Sequence, residues 1–128
     1  MNREDIEKIQ DAIENYFKGI YHGDTELLKS VFHPKALLFG DIQGQTYFKN
    51  VPEYIEGVKN RKSPGELGEK FRMQIISIER LGEIAFVKLH VPMFDFNYYD
   101  YLSLQKINQQ WLIVNKLFAH INPNDHVV

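Results

Sequence analysis

The sequence predicts an α+β domain in which helices cover one face of a curved sheet, and three observations carry that prediction. Apolar residues in the first part of the chain recur at helical steps, whereas from about Phe71 onward the pattern is extended and rich in β-branched and aromatic residues. The joints between segments hold the residues that helix ends and turns require: Gly23-Asp24, His33-Pro34, Asn50, Gly82-Glu83 and Asn108-Gln109.

The first helix is predicted from Asn2 to about Ile20, because Ile6, Ile9, Ile13, Phe17 and Ile20 share one face, with Tyr16 beside that stripe. Asn2 is a candidate N-cap, and Gly23 suits the left-handed residue that closes a helix. Asp24 caps a second, short helix that turns Leu27, Leu28, Val31 and Phe32 inward and stops at His33-Pro34, since a residue before proline avoids helical angles. A strand is expected from about Lys35 to Phe39, a turn over Asp41 to Gln45, and a short strand from Thr46 to Phe48. Asn50 then opens a third helix with Pro52 in its first turn and Val51, Tyr54, Ile55 and Val58 on its buried side. After a loop holding Ser63-Pro64-Gly65 and Gly68, four long strands are expected: Phe71 to Leu81, Ile84 to Met93, Phe94 to Ile107 and Gln110 to Ile121.

A length of 128 residues suits a single domain over 1–128, with an ordered core of about 4–121. The absence of cysteine excludes disulfides, thiolate zinc sites and a cysteine nucleophile. A net charge of −2 removes the general attraction to phosphate backbones, so no nucleic-acid partner is expected. Lys59, Arg61 and Lys62 fall where the third helix ends and complement its dipole. No leader or bilayer-length apolar run is evident, so no membrane partner is expected and the predicted location is cytoplasmic. Strands apolar on both faces, as at Leu112, Ile113 and Val114, imply that a second subunit covers the outer face of the sheet.

Tyr16, Gly23-Asp24, Leu28, the run from Phe32 to Ala36, Pro52-Glu53-Tyr54 and the closing segment from Asn108 to Lys116 resemble the nuclear-transport-factor-2-like (SnoaL-like) superfamily. The nearest branch is its lumazine-binding family, and the resemblance spans about residues 4 to 121. It implies a cone-shaped, cystatin-like fold: a strongly curved, mostly antiparallel sheet wrapped around three N-terminal helices, a pocket between them, and homodimers formed through the outer sheet face. The superfamily includes ketosteroid isomerases, dehydratases, polyketide cyclases, epoxide hydrolases and proteins with no known reaction, so fold transfers and function does not.

Tyr16 matches the tyrosine with which the isomerases hydrogen-bond an oxyanion, a task that suits a neutral phenol; otherwise it is a core ring. The position matching the isomerase base is Gly40. Asp41 is adjacent, and reaches the pocket only if a bulge turns it inward. A second acid is expected around Ser103, where no carboxylate stands. His90 and His120 lie on long strands and could meet across the sheet, while His22, His33 and His126 show no metal-ligand spacing. Phe94, Phe96, Tyr98, Tyr99 and Tyr101 form either a stacking platform or the dimer face. The expected pocket comprises Tyr16, Phe32, Tyr54, Val58, Ser103, Trp111 and Asn115, with no metal and no cofactor, and it would bind a small apolar or aromatic ligand without established catalysis. Two alternatives stand beside this: a lyase or isomerase using Tyr16 as donor and Asp41 or His120 as base, and an association module whose pocket is smaller than roughly 300 Å³.

Overall fold

Apolar periodicity and local caps build α1 (Arg3–His22) and α2 (Thr25–Val31) in the computed structural model, which describes residues 3–124. The expected cap at Asn2 and the tail histidine His126 lie outside the described residues. Gly23 adopts φ +68°, and the Asp24 carboxylate accepts a hydrogen bond from the Leu27 amide at 3.1 Å, so chain reversal and cap are met by consecutive residues. The two helices pack closely because Gly19 has no side chain: a Cβ there would lie 2.6 Å from Leu28 Cγ.

Strand β1 (Phe32–Ile42) starts earlier than the sequence suggests and takes in His33-Pro34. Proline is tolerated because the β1 ladder is interrupted between Phe32 and Leu37, so its missing N–H removes no strand-to-strand bond. β2 (Gln45–Asn50) runs into α3 (Val51–Lys59), whose start is a reciprocal capping box between Asn50 and Glu53. β3 (Gln74–Leu81), β4 (Ile84–Met93), β5 (Phe96–Ile107) and β6 (Gln110–His120) follow. β3 begins later than expected because Phe71 packs its ring against Phe17 and Tyr21 at 6.2 and 5.3 Å, outside the sheet.

The six strands form one sheet in the order β2-β1-β6-β5-β4-β3. Only β1 and β6 are parallel, and the sheet is strongly curved and unclosed, with the helices against its concave face. Register places residues in rows across it. Gly40, Phe118, Asp100 and Leu89 are successive partners on the concave side, and Leu38, Lys116, Leu102 and Val87 make the next inner row. On the convex side, Phe48, Phe39, Leu117, Tyr101 and Lys88 line up in the same way.

A bulge in β6 sets which residues reach the interior. Ser103 opposes Asn115 but Leu104 opposes Ile113, so Val114 has no partner and the alternation changes phase there. Trp111 and Ile113 face inward before the bulge, and Lys116 and Phe118 after it. The buried Asp5 carboxylate of α1 accepts from Trp111 Nε1 at 3.0 Å and pairs with Arg80 at 3.1 Å and Lys106 at 3.0 Å. This ties the first helical turn to β3, β5 and β6; the Trp111 hydrogen bond, followed by Lys106, holds the carboxyl below its ordinary value. Among the described residues no helix is long and apolar enough to cross a membrane.

Candidate ligand pocket between α3 and the sheet

Tyr16 is fully buried, and its hydroxyl donates to Asp100 Oδ2 at 2.6 Å. The tyrosine comes from α1 and the aspartate from the inner face of β5, so the contact exists only after the helix docks on the sheet. Asp100 is 2% exposed. Burial pushes its carboxyl above the ordinary value, while Lys116 and the Tyr16 hydroxyl pull the other way. Burial, and then the Asp100 charge, push the Tyr16 hydroxyl well above its usual range, so it stays a proton donor.

Lys116 occupies the neighbouring inner row and is 6% exposed. Its Nζ stands 4.7 Å from the Phe118 ring centre, 4.9 Å from Tyr54 and 5.5 Å from Tyr16, an aromatic cage of the kind that accepts a cation. Burial lowers its proton affinity, Asp100 raises it, and the Arg61 charge lowers it further. Among the described residues the amine makes no hydrogen bond and no ion pair.

Around these groups lies a cavity of about 130 Å³, walled by Tyr47, Tyr54, Arg61, Tyr98, Asp100 and Lys116 among others. Three polar atoms buried there are unsatisfied: the Tyr54 hydroxyl and Nε and Nη2 of Arg61. The Arg61 guanidinium lies 5.1 Å from the Phe94 ring centre, which holds its plane while leaving those donors free. The arrangement can receive an anion or a polarised carbonyl oxygen, and it sets an amine and a carboxyl beside it.

The residues expected at the pocket separate in space. Tyr16 and Tyr54 lie at this site, and Phe32 and Val58 are core neighbours, with Phe32 edge-on to both tyrosines at 5.9 and 5.6 Å. Trp111 is committed to Asp5 instead. Ser103 and Asn115 are partners on the convex face, because the bulge at Val114 gives the inward place to Lys116. Asp41 is exposed on that same face, in a groove of about 390 Å³ with Phe39, Tyr101 and Leu117, since no bulge inverts β1 beyond Leu37. His90 and His120 do not meet: both attach to Asn97, His90 Nε2 at 2.6 Å from its side-chain oxygen and His120 Nδ1 accepting from its amide at 2.9 Å. Gly40 faces inward, but a Cβ there would lie 2.4 Å from Phe118 Cε1, so the Phe118 ring fills the place of an acid.

The carboxylate sought near Ser103 stands three residues earlier, at Asp100. Sequence reasoning missed Asp100, Lys116 and Arg61. For Asp100 and Lys116 the signal was a charge at a strand position whose register neighbours, Leu89 and Phe118 for one and Leu38 and Leu102 for the other, are hydrophobic. Among the described residues no group of three His, Cys, Asp or Glu side chains is placed to hold a metal ion.

The family model described as Putative lumazine-binding matches residues 4–119. The chain belongs to this family. Its fold is NTF2-like: an NTF2-like protein of unknown function from Methylobacillus flagellatus KT superposes with a TM-score of 0.85 at 21% identity, over 95% of this chain and 96% of that one. Another NTF2-like protein of unknown function, from Silicibacter pomeroyi DSS-3, gives 0.84 at 21% identity over 94% and 100%. In sequence the chain is 27% identical over 105 residues to the aldolase FrzH of Cladobotryum sp, covering 80% of this chain and 81% of that protein. At these identities the two solved structures establish the shared fold of the family and no more.

Proposed function

We propose that this family member binds a small carboxylate- or carbonyl-bearing molecule in the cavity between α3 and the sheet. The observation that carries this is the set of unsatisfied donors on Arg61 and Tyr54 facing one cavity. A buried donor without a partner costs about 1–3 kcal/mol, more for a charged group, so a ligand oxygen that satisfies it gains that amount. The cavity of about 130 Å³ is below the size of drug-like sites, as the association reading expected, and near the roughly 150 Å³ that accommodates benzene. The ligand is therefore of that scale. Charged walls favour a polar ligand over the apolar one expected from sequence, and the unsatisfied donors favour ligand binding over a pocket filled by its own side chains.

Titration calorimetry or ligand-detected NMR with pyruvate, glyoxylate and acetate is expected to show saturable binding that Arg61→Met weakens by about 10- to 100-fold, the worth of one charge-assisted hydrogen bond. Equal affinity in Arg61→Met, or no saturable binding of any of the three, would overturn the reading. The lyase alternative retains Tyr16 with Asp100 as its donor pair and takes support from the aldolase among its relatives, but Asp41 faces away from the cavity and His120 is engaged by Asn97.

We also propose that two copies pair through the convex sheet face. Phe39, Phe48, Tyr101 and Leu117 are 40 to 53% exposed there and form one row across four strands. A continuous apolar row on a face without helices is the kind of surface a second identical sheet covers. Light scattering is expected to give twice the chain mass, and Leu117→Glu to halve it; a monomeric wild type at tens of micromolar would end this proposal.

A further inference from the structure

We propose that Lys116 is a covalent nucleophile that forms a Schiff base with a small oxo acid held by Arg61. The inference rests on the binding reading above and adds a bond to it. Among the described residues Lys116 has the one amine that reaches the cavity, and no hydrogen bond or ion pair restrains it. A structural buried lysine would be expected to hold a carboxylate; here Asp100 is engaged by Tyr16, and the amine is left against three rings. The groups that face it are Asp100, Arg61, Tyr16, Tyr47, Tyr54 and Tyr98. Burial and the Arg61 charge both oppose protonation of the amine, which keeps a nucleophilic fraction at lower pH than a surface lysine would have.

The chemistry balances with groups already present. Neutral Lys116 Nζ attacks the carbonyl carbon of the oxo acid, while the Arg61 guanidinium holds the carboxylate. A C–N bond forms, and the carbonyl oxygen takes up both amine protons by way of Asp100 and leaves as water, with no oxidant or reductant involved. Protonated Asp100 then gives its proton to the imine nitrogen. The products are an iminium cation caged by the faces of Tyr16, Tyr54 and Phe118 and an Asp100 carboxylate stabilised by the Tyr16 hydroxyl. An iminium at this position withdraws electrons from the adjacent carbon, which is the activation needed to break or make a carbon–carbon bond there.

The test is reductive trapping. The full chain is incubated with pyruvate or glyoxylate and cyanoborohydride, and the modified residue is located by intact-mass analysis and peptide mapping. A single reduced adduct on Lys116, lost in Lys116→Met and suppressed by acetate as a competing carboxylate, is the expected result. Mapping the wild-type adduct decides the question even if the variant folds poorly. Saturable binding of pyruvate without an adduct on Lys116 would overturn the nucleophile and leave the binding reading standing. Absence of both binding and adduct would overturn both, and equal labelling of surface lysines in wild type and Lys116→Met would reduce the trapping to non-specific chemistry and overturn the proposal.

Discussion

Replacing Asp100 by leucine while Lys116 remains is expected to lower the unfolding free energy by about 1–3 kcal/mol, because it leaves the buried Tyr16 hydroxyl with no acceptor and removes the carboxyl that raises the proton affinity of the buried Lys116 amine. The double variant Asp100→Leu/Lys116→Met is expected to recover the part of that loss that comes from the buried amine, while the part that comes from the Tyr16 hydroxyl remains. Urea denaturation of the two single variants and the double variant measures the coupling. A loss below about 1 kcal/mol for Asp100→Leu, or strictly additive single effects, would show that the two groups are not a coupled buried pair.

The pair also has a pH signature whose signs are opposite for its members. Asp100 has a folded proton affinity raised above the unfolded value of 3.8, so just above that value the folded chain holds a proton that the unfolded chain has released, and stability falls as pH rises through this window. Lys116 is lowered from 10.5, so below that value the unfolded chain holds the extra proton and stability rises as pH climbs towards 10.5. Relative to the double variant, the wild type should therefore lose stability from about pH 4 upwards and regain it on the alkaline side. A constant difference across pH would contradict this.

Gly40→Ala is the second large effect, expected to cost about 1–3 kcal/mol, with Gly40→Asp costing more because it adds a buried carboxylate. The cause is the Phe118 ring, which lies 2.4 Å from the place a Cβ would take. In a Phe118→Leu background the same Gly40→Ala change should cost much less, because the obstructing ring is gone. Equal costs in both backgrounds, by thermal or chemical melts, would show that the close approach is not what excludes a side chain. The absent isomerase base is thus a packing decision: Phe118 and Gly40 are partners in one inner row, and a large ring in one requires none in the other.

Local chemistry announced most of the fold. The caps at Asp24 and Asn50, the left-handed Gly23, and the switch from helical to extended periodicity each act within a few residues, so they can be read without knowing what lies across the sheet. Tyr16 was legible as a polar group on the edge of an apolar helix stripe. Its partner was not, because Asp100 lies 84 residues away and reaches it only through the register of β5. Arg61 invited a surface reading, since a cation at a helix end has a sufficient local reason to be there.

The β6 bulge was the decisive fact hidden from the sequence. Regular alternation from Trp111 puts Asn115 inward and Lys116 outward, and the chain reads equally well that way until the pairing of Ser103 with Asn115 and Leu104 with Ile113 shows that Val114 is skipped. By itself, then, the sequence determined the α+β architecture, the helix boundaries to within a few residues, and one donor, because those depend on local backbone preferences and on periodicity. Only the tertiary structure decided that the cavity is small and charged, that Asp100 and Lys116 share it, and that Asp41 faces out, because each depends on a one-residue phase of strand pairing that no local interaction specifies.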